Sequence, residues 1–156
     1  MPTVFRICKT KYAAGAFDGE GAFRFGGRWN SRGVRMIYTA GSLALATLEI
    51  VVNLDGGELL SGYSYIAVQI PSALILPILE FRKLPRNWNR SPAPPSLARI
   101  GDDWIRSQAS AVLEVPTSIV PEEQNYLVNP AHPDFALIRR EKPRKFVFDK
   151  RLKAPR

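Results

Sequence analysis

Three side chains of different chemistry stand at nearly even intervals in the first third of the chain: Arg28, Tyr38 and Glu49, at spacings of 10 and 11 residues. Arg28 lies in a glycine-rich stretch (GGRWNSRG), Tyr38 in a short apolar run (MIYT), and Glu49 in the run LALATLEIVV. A guanidinium is a permanent planar cation that forks onto phosphate oxygens. A tyrosine ring stacks on another aromatic system, and a carboxylate accepts from hydroxyls and favours positive charge that grows beside it. Together they suit an anionic, aromatic, ribose-bearing ligand, and NAD is such a ligand.

Positioning these groups requires a regular scaffold. Residues 3–8 (TVFRIC) are rich in β-formers and read as a first strand. Residues 13–35 are rich in glycine and show little periodicity, which predicts a long ordered loop, a feature usually tied to function in compact domains. Residues 36–39 form a short buried strand. Ser42 is placed to cap a helix running to about Val52, with Leu45, Leu48 and Val52 on one apolar face and Glu49 at its border. Asn53, Gly56 and Gly57 close it. Residues 65–70 (YIAVQI) are a strong strand. Pro77 breaks the apolar run 73–81 and favours short strands over one helix. Residues 84–95 hold Pro85, Pro92, Pro94 and Pro95 and read as a surface connection. A helix is expected over 96–109 with Asp102 or Asp103 near its start, strands over 111–115 and 118–120, a loop over 121–133, and a last strand at 146–148. The expected fold class is α+β, with several short strands and two or three helices.

The chain of 156 residues fits a single domain. Its one cysteine, Cys8, rules out an internal disulfide, and the N-terminus lacks the h-region of a signal peptide. The apolar runs fall far short of the ~20 residues of a membrane helix, so a cytoplasmic protein with no membrane association is expected. One histidine (His132) and one cysteine argue against a zinc site, and no metal is expected. The net charge of +8 is concentrated at the end: residues 139–156 carry nine basic and two acidic side chains, and the preceding 138 residues carry 13 and 12. The body is nearly neutral, and the basicity belongs to the C-terminal segment, of which 149–156 reads as a tail. A basic nucleic-acid-binding module working through that segment is one rival reading, and a catalytically inactive partner-binding protein is another. A dinucleotide redox fold is disfavoured, because the glycines around Gly26 do not form GxGxxG.

The segments FRI (5–7), GGRWNSRG (26–33), IYTAGSLALATLE (37–49) and VPTSIVPEEQNYLVNPAHPDF (115–135) occur together in this order. In this the chain resembles the RES-domain toxins of bacterial toxin–antitoxin pairs, over residues 1–148. The resemblance implies mixed β-sheets of the ADP-ribosyltransferase type with a few flanking helices, and an activity that consumes NAD by hydrolysis, phosphorolysis or transfer of ADP-ribose to a protein. It also implies an Xre-type helix-turn-helix antitoxin that covers the active site, with DNA contacted only through that antitoxin and room for a homo-oligomer within the toxin–antitoxin complex. Arg28, Tyr38 and Glu49 match the family's arginine, tyrosine and glutamate. Where the family has Val-Pro-Ser, this chain reads Val115-Pro116-Thr117, with Ser118 next. Thr117 keeps a hydroxyl at the matching place, whereas Ser118 would face the opposite way on extended backbone; both remain candidates to bind the diphosphate or orient Glu49. Arg6 and Asn125 are further ligand-binding candidates, with Asn129 and His132 behind them. Arg24 and Arg32 are candidates to join Arg6 in a phosphate pocket.

Overall fold

The computed structural model describes residues 1–54 and 59–152. Eight strands form one sheet: β1 (Thr3–Lys9), β2 (Ile37–Ala40), β3 (Tyr63–Gln69), β4 (Ile75–Pro77), β5 (Val112–Pro116), β6 (Gln124–Val128), β7 (Arg139–Arg140) and β8 (Arg144–Phe146). Their order is β4-β5-β6-β2-β1-β3-β7, with β8 also on β3. Among the described residues the strand pairings are antiparallel except that of β4 with β5. Among the described residues four α-helices accompany them: α1 (Glu20–Phe25), α2 (Leu43–Val52), α3 (Ile78–Phe81) and α4 (Pro95–Ser107).

The sheet is nearly divided. β1 and β3 pair over seven positions, and β2 and β6 over four, but β1 meets β2 at the single pair Phe5↔Ala40. The two halves part at this seam. Three apolar clusters fill the interior. One joins Val4, Ile66, Val68, Val112 and Val128; a second gathers Trp29, Met36, Leu97, Trp104, Leu113 and Leu127; the third packs Leu45 and Ala46 of α2 on Ile7, Ala40, Tyr63 and Phe148.

The 13–35 stretch holds more regular structure than its composition suggests, since α1 and a 3-10 turn over Thr10–Gly15 lie within and before it. α2 starts where expected: the Ser42 hydroxyl accepts from the Leu45 amide at 3.0 Å. Its inward face differs. Leu45 is buried, but Leu48 and Val52 are 37% and 44% exposed. A helix apolar on nearly every side does not reveal which stripe is covered. Asn53 ends α2 and its Nδ2 donates to the Glu49 carbonyl at 2.7 Å; Gly56 and Gly57 lie outside the described residues. Pro77 ends a strand, as expected, but α3 follows it at once, since proline sits readily just before a first turn.

Three expectations need correction. α4 starts at Pro95, so Asp102 and Asp103 lie in its second half; proline at the first helical position supplies the start signal. Residues 118–120 bend rather than forming a strand, and residues 124–128, expected within a loop, are β6, the strand that joins β5 to β2. Charged and amide residues around Gln124 and Asn125 masked the apolar pattern there.

α4 supports the glycine-rich segment directly. Gly101 faces the Trp29 carbonyl so closely that an added Cβ would collide with it, and Asp102 Oδ1 accepts from the Ser31 amide at 2.9 Å. Gly101→Ala should therefore destabilise the fold by about 1–3 kcal/mol through overpacking, read as a lower midpoint in chemical denaturation. A second expectation concerns alkaline pH. Burial, then the hydrogen bond to Glu114 at 2.9 Å, pushes the Tyr126 hydroxyl up from 10 to about 12. The folded protein thus holds that proton more tightly than the unfolded chain. Stability should be intact below about pH 10 and fall as pH rises through about 12, with a shallower fall in Tyr126→Phe.

Candidate functional site

Two hydrogen-bonded groups of side chains flank the upper part of β2. The first centres on Glu49. Thr117 Oγ1 donates to Glu49 Oε1 at 2.9 Å, and Asn125 Nδ2 donates to the same oxygen at 2.8 Å. Among the described residues Oε2 takes no donor. Three elements supply this group: α2 brings the carboxylate, β6 the amide, and the residue after β5 the hydroxyl. The register fixes it, because Asn125 pairs with both Ala40 and Val115. A carboxylate only accepts, so Asn125 must present its NH2 here. Its Oδ1 is then buried without a partner.

Thr117 is 2% exposed and its Oγ1 also accepts from the Ile119 amide at 3.2 Å. Ser118 makes no such contact with Glu49. Of the two hydroxyls considered from sequence, the structure places Thr117 against the carboxylate.

The second group surrounds Tyr38. Its hydroxyl donates to Asn30 Oδ1 at 2.6 Å and accepts from the Trp29 amide at 3.1 Å. Burial raises its pKa well above the ordinary tyrosine value. With its proton committed to Asn30, the hydroxyl is an anchor rather than an acid, and the ring leans on the cluster holding Trp29, Met36 and Leu127. Gly27 makes this possible: a Cβ there would stand 2.7 Å from the Tyr38 hydroxyl oxygen.

Arg28 rides on the tight turn Gly27–Asn30, closed by Gly27 N–H donating to the Asn30 carbonyl at 3.0 Å. Its Nη1 donates to the carbonyls of Trp88 and Arg90, at 3.2 and 2.8 Å. The proline-rich connection therefore works as a brace for this arginine. Both bonds use one nitrogen, so the Nε and Nη2 edge of the fork remains uncommitted among the described residues.

The two groups are neighbours on one face. Strand alternation puts Tyr38 and Ala40 on the same side, and Asn125 opposes Ala40. Tyr38 and Asn125 are thus diagonal neighbours, which stand about 7–8 Å apart. No direct hydrogen bond joins Arg28, Tyr38 and Glu49 to one another. Arg6 alternates to the other side with Val4 and Cys8, yet its Nη1 reaches the Tyr38 carbonyl at 3.0 Å across the seam where β1 and β2 part. Burial lowers its pKa, and its Nε is buried without a partner. Two buried polar atoms lacking partners, Arg6 Nε and Asn125 Oδ1, thus lie beside Tyr38 and Glu49.

Asn129, His132 and Arg24 are held in contacts of their own. His132 Nδ1 accepts from the Asp134 amide at 3.0 Å, which leaves Nε2–H to donate to the Gln108 carbonyl. Asn129 is 1% exposed and its Oδ1 accepts from the Ala131 amide at 3.0 Å. Arg24 is paired with Glu20 at 2.9 Å. Sequence reasoning passes over Asn30 altogether; its place inside GGRWN, two residues after Arg28, was the available signal.

A nearly divided mixed sheet with a few flanking helices and a braced carboxylate beside its seam makes this an α+β domain. The RES domain matches residues 3–149, and the chain belongs to the RES-domain family. It is 38% identical over 151 residues to "Toxin Res" of Yersinia enterocolitica, covering 96% of this chain and 99% of that protein. It is 41% identical over 143 residues to the "Prs ADP-ribosylating toxin" of Sphingobium sp., covering 90% and 89%. The fold matches a chain in the crystal structure of the M. tuberculosis MbcT–MbcA toxin–antitoxin complex with a TM-score of 0.73 and 18% identity, over 94% of this chain and 84% of that one.

Thr117→Val removes one donor from Glu49 and the acceptor of the Ile119 amide. It should cost about 1–3 kcal/mol of stability, measured by chemical denaturation, whereas Thr117→Ser should keep both bonds and lose less.

Proposed function

We propose that this RES-family protein is the toxin of a toxin–antitoxin pair and that it consumes NAD by breaking the nicotinamide–ribose bond. The observation that carries this reading is the state of Glu49: one oxygen is fixed by Thr117 and Asn125, the latter on the same face as Tyr38, and the other takes no donor among the described residues. A carboxylate held in this way loses little freedom when a ligand arrives, which is what makes electrostatic stabilisation effective.

Each residue then has a distinct task. Glu49 Oε2 accepts from a ribose hydroxyl and favours the positive charge that develops as the glycosidic bond lengthens. Thr117 and Asn125 keep the carboxylate oriented. The free edge of Arg28 meets the diphosphate, and the exposed part of the Tyr38 ring lies against the nicotinamide. The acceptor that completes the reaction is water, phosphate or a protein side chain, and all three share the first step. The ADP-ribosylating toxin among the relatives favours keeping protein transfer among them. The partner that restrains the toxin is a helix-turn-helix antitoxin covering the Glu49 face, and the setting is the cytoplasm, where NAD is abundant. Among the described residues no helix is long and apolar enough to cross a membrane.

Glu49→Gln should lower NAD consumption by about 100- to 1000-fold, followed as nicotinamide release; wild-type turnover would refute the assignment. Mass spectrometry of the products, with and without phosphate and cell extract, separates ADP-ribose, its 1″-phosphate and a labelled protein. Arg28→Lys should not restore NAD affinity, because a point charge cannot both bridge the Trp88 and Arg90 carbonyls and fork onto phosphate.

A further inference from the structure

Asn30 is 1% exposed and uses its whole side chain. Nδ2 donates to the carbonyls of Ala22, Ser31 and Val34 at 2.9, 3.1 and 3.0 Å, and Oδ1 accepts from the Tyr38 hydroxyl at 2.6 Å. Its own carbonyl closes the turn on which Arg28 is mounted. The turn is tied on one side to α1 through Ala22, and on the other to β2 through Tyr38. Trp29, between Arg28 and Asn30, is buried in the second apolar cluster, and its amide bonds the same tyrosine oxygen.

We propose that Asn30 is a positioning residue that sets the distance between the Arg28 guanidinium and the Tyr38 ring, and hence the grip on the phosphate and nicotinamide ends of one ligand. The inference rests on the NAD-cleaving reading above. Arg28 reaches the rest of the protein through the turn backbone and through the Trp88 and Arg90 carbonyls. The brace holds the far end of its side chain; Asn30 holds the near end. Tyr38 shares that hold, because its proton is given to Asn30. Glu49 does not, since its donors come from Thr117 and Asn125, on other elements. Loosening Asn30 should therefore disturb ligand capture and spare the bond-breaking group.

The test is steady-state NAD cleavage by wild type, Asn30→Ser, Tyr38→Phe and the double variant. Asn30→Ser should raise KM by about 10- to 100-fold, the range expected for a displacement near 1 Å, with kcat within about twofold. Tyr38→Phe should raise KM in the same direction. The double variant should fall short of the product of the two effects, because both remove one shared bond, Tyr38→Phe losing only the Trp29 amide bond besides. A merely structural role would instead lower the active fraction, reducing apparent kcat at constant KM, and that result overturns the inference. So does a wild-type KM in folded Asn30→Ser. If Asn30→Ser does not fold, Tyr38→Phe decides alone, since it leaves the three carbonyl bonds of Asn30 intact: a raised KM at unchanged kcat supports the inference, and a wild-type KM overturns it. Wild-type protein that leaves NAD untouched overturns the functional reading along with it, whereas active wild type with an unmoved Asn30→Ser overturns this inference only.

Discussion

The arrangement turns on how a carboxylate is kept oriented at the margin of a core. Glu49 sits partly buried on a helix built almost wholly of apolar residues, where an unsupported carboxylate is costly. Thr117 and Asn125 offset that cost by donating to one of its oxygens. Each donor comes from a different strand-borne segment, so the site exists only when β5, β6 and β2 are in register. Folding and assembly of the site are the same event here. The opposite oxygen is left to whatever enters from outside.

The arginine is treated differently. It is mounted on a turn, and the turn is fixed from below by Asn30, Trp29 and the close approach of α4 at Gly101. From above, two carbonyls of the proline-rich connection hold its outer nitrogen. Backbone carbonyls suit this task because they orient a guanidinium without neutralising it, so the positive field toward a ligand is preserved. A carboxylate in the same place would have spent that charge.

Local features were legible in the sequence; long-range ones were less so. Ser42 as a cap and the β1 and β3 runs follow from residue type and spacing. The identity of Thr117 as the hydroxyl on Glu49 required the actual bend after Pro116, because an extended chain and a bend present Ser118 quite differently. β6 escaped notice because its face toward the site carries Asn125 where a core strand would carry an aliphatic residue. The polar substitution that hid the strand is the one that makes the site. Asn30 escaped for a related reason: an asparagine among glycines reads as turn chemistry, and nothing local shows that its amide gathers three carbonyls. The brace on Arg28 spans about 60 residues of sequence, beyond any periodicity argument.

The outer margin of the β3 side bears on how the molecule behaves in company. β7 and β8 are short, interrupted by Pro143, and carry Arg139, Arg140, Arg144 and Lys145, all exposed. An open strand invites further chains to add to it, and brevity, proline and like charge all discourage that. The cations that give this chain its high isoelectric point are thereby also a guard against self-association into extended sheets.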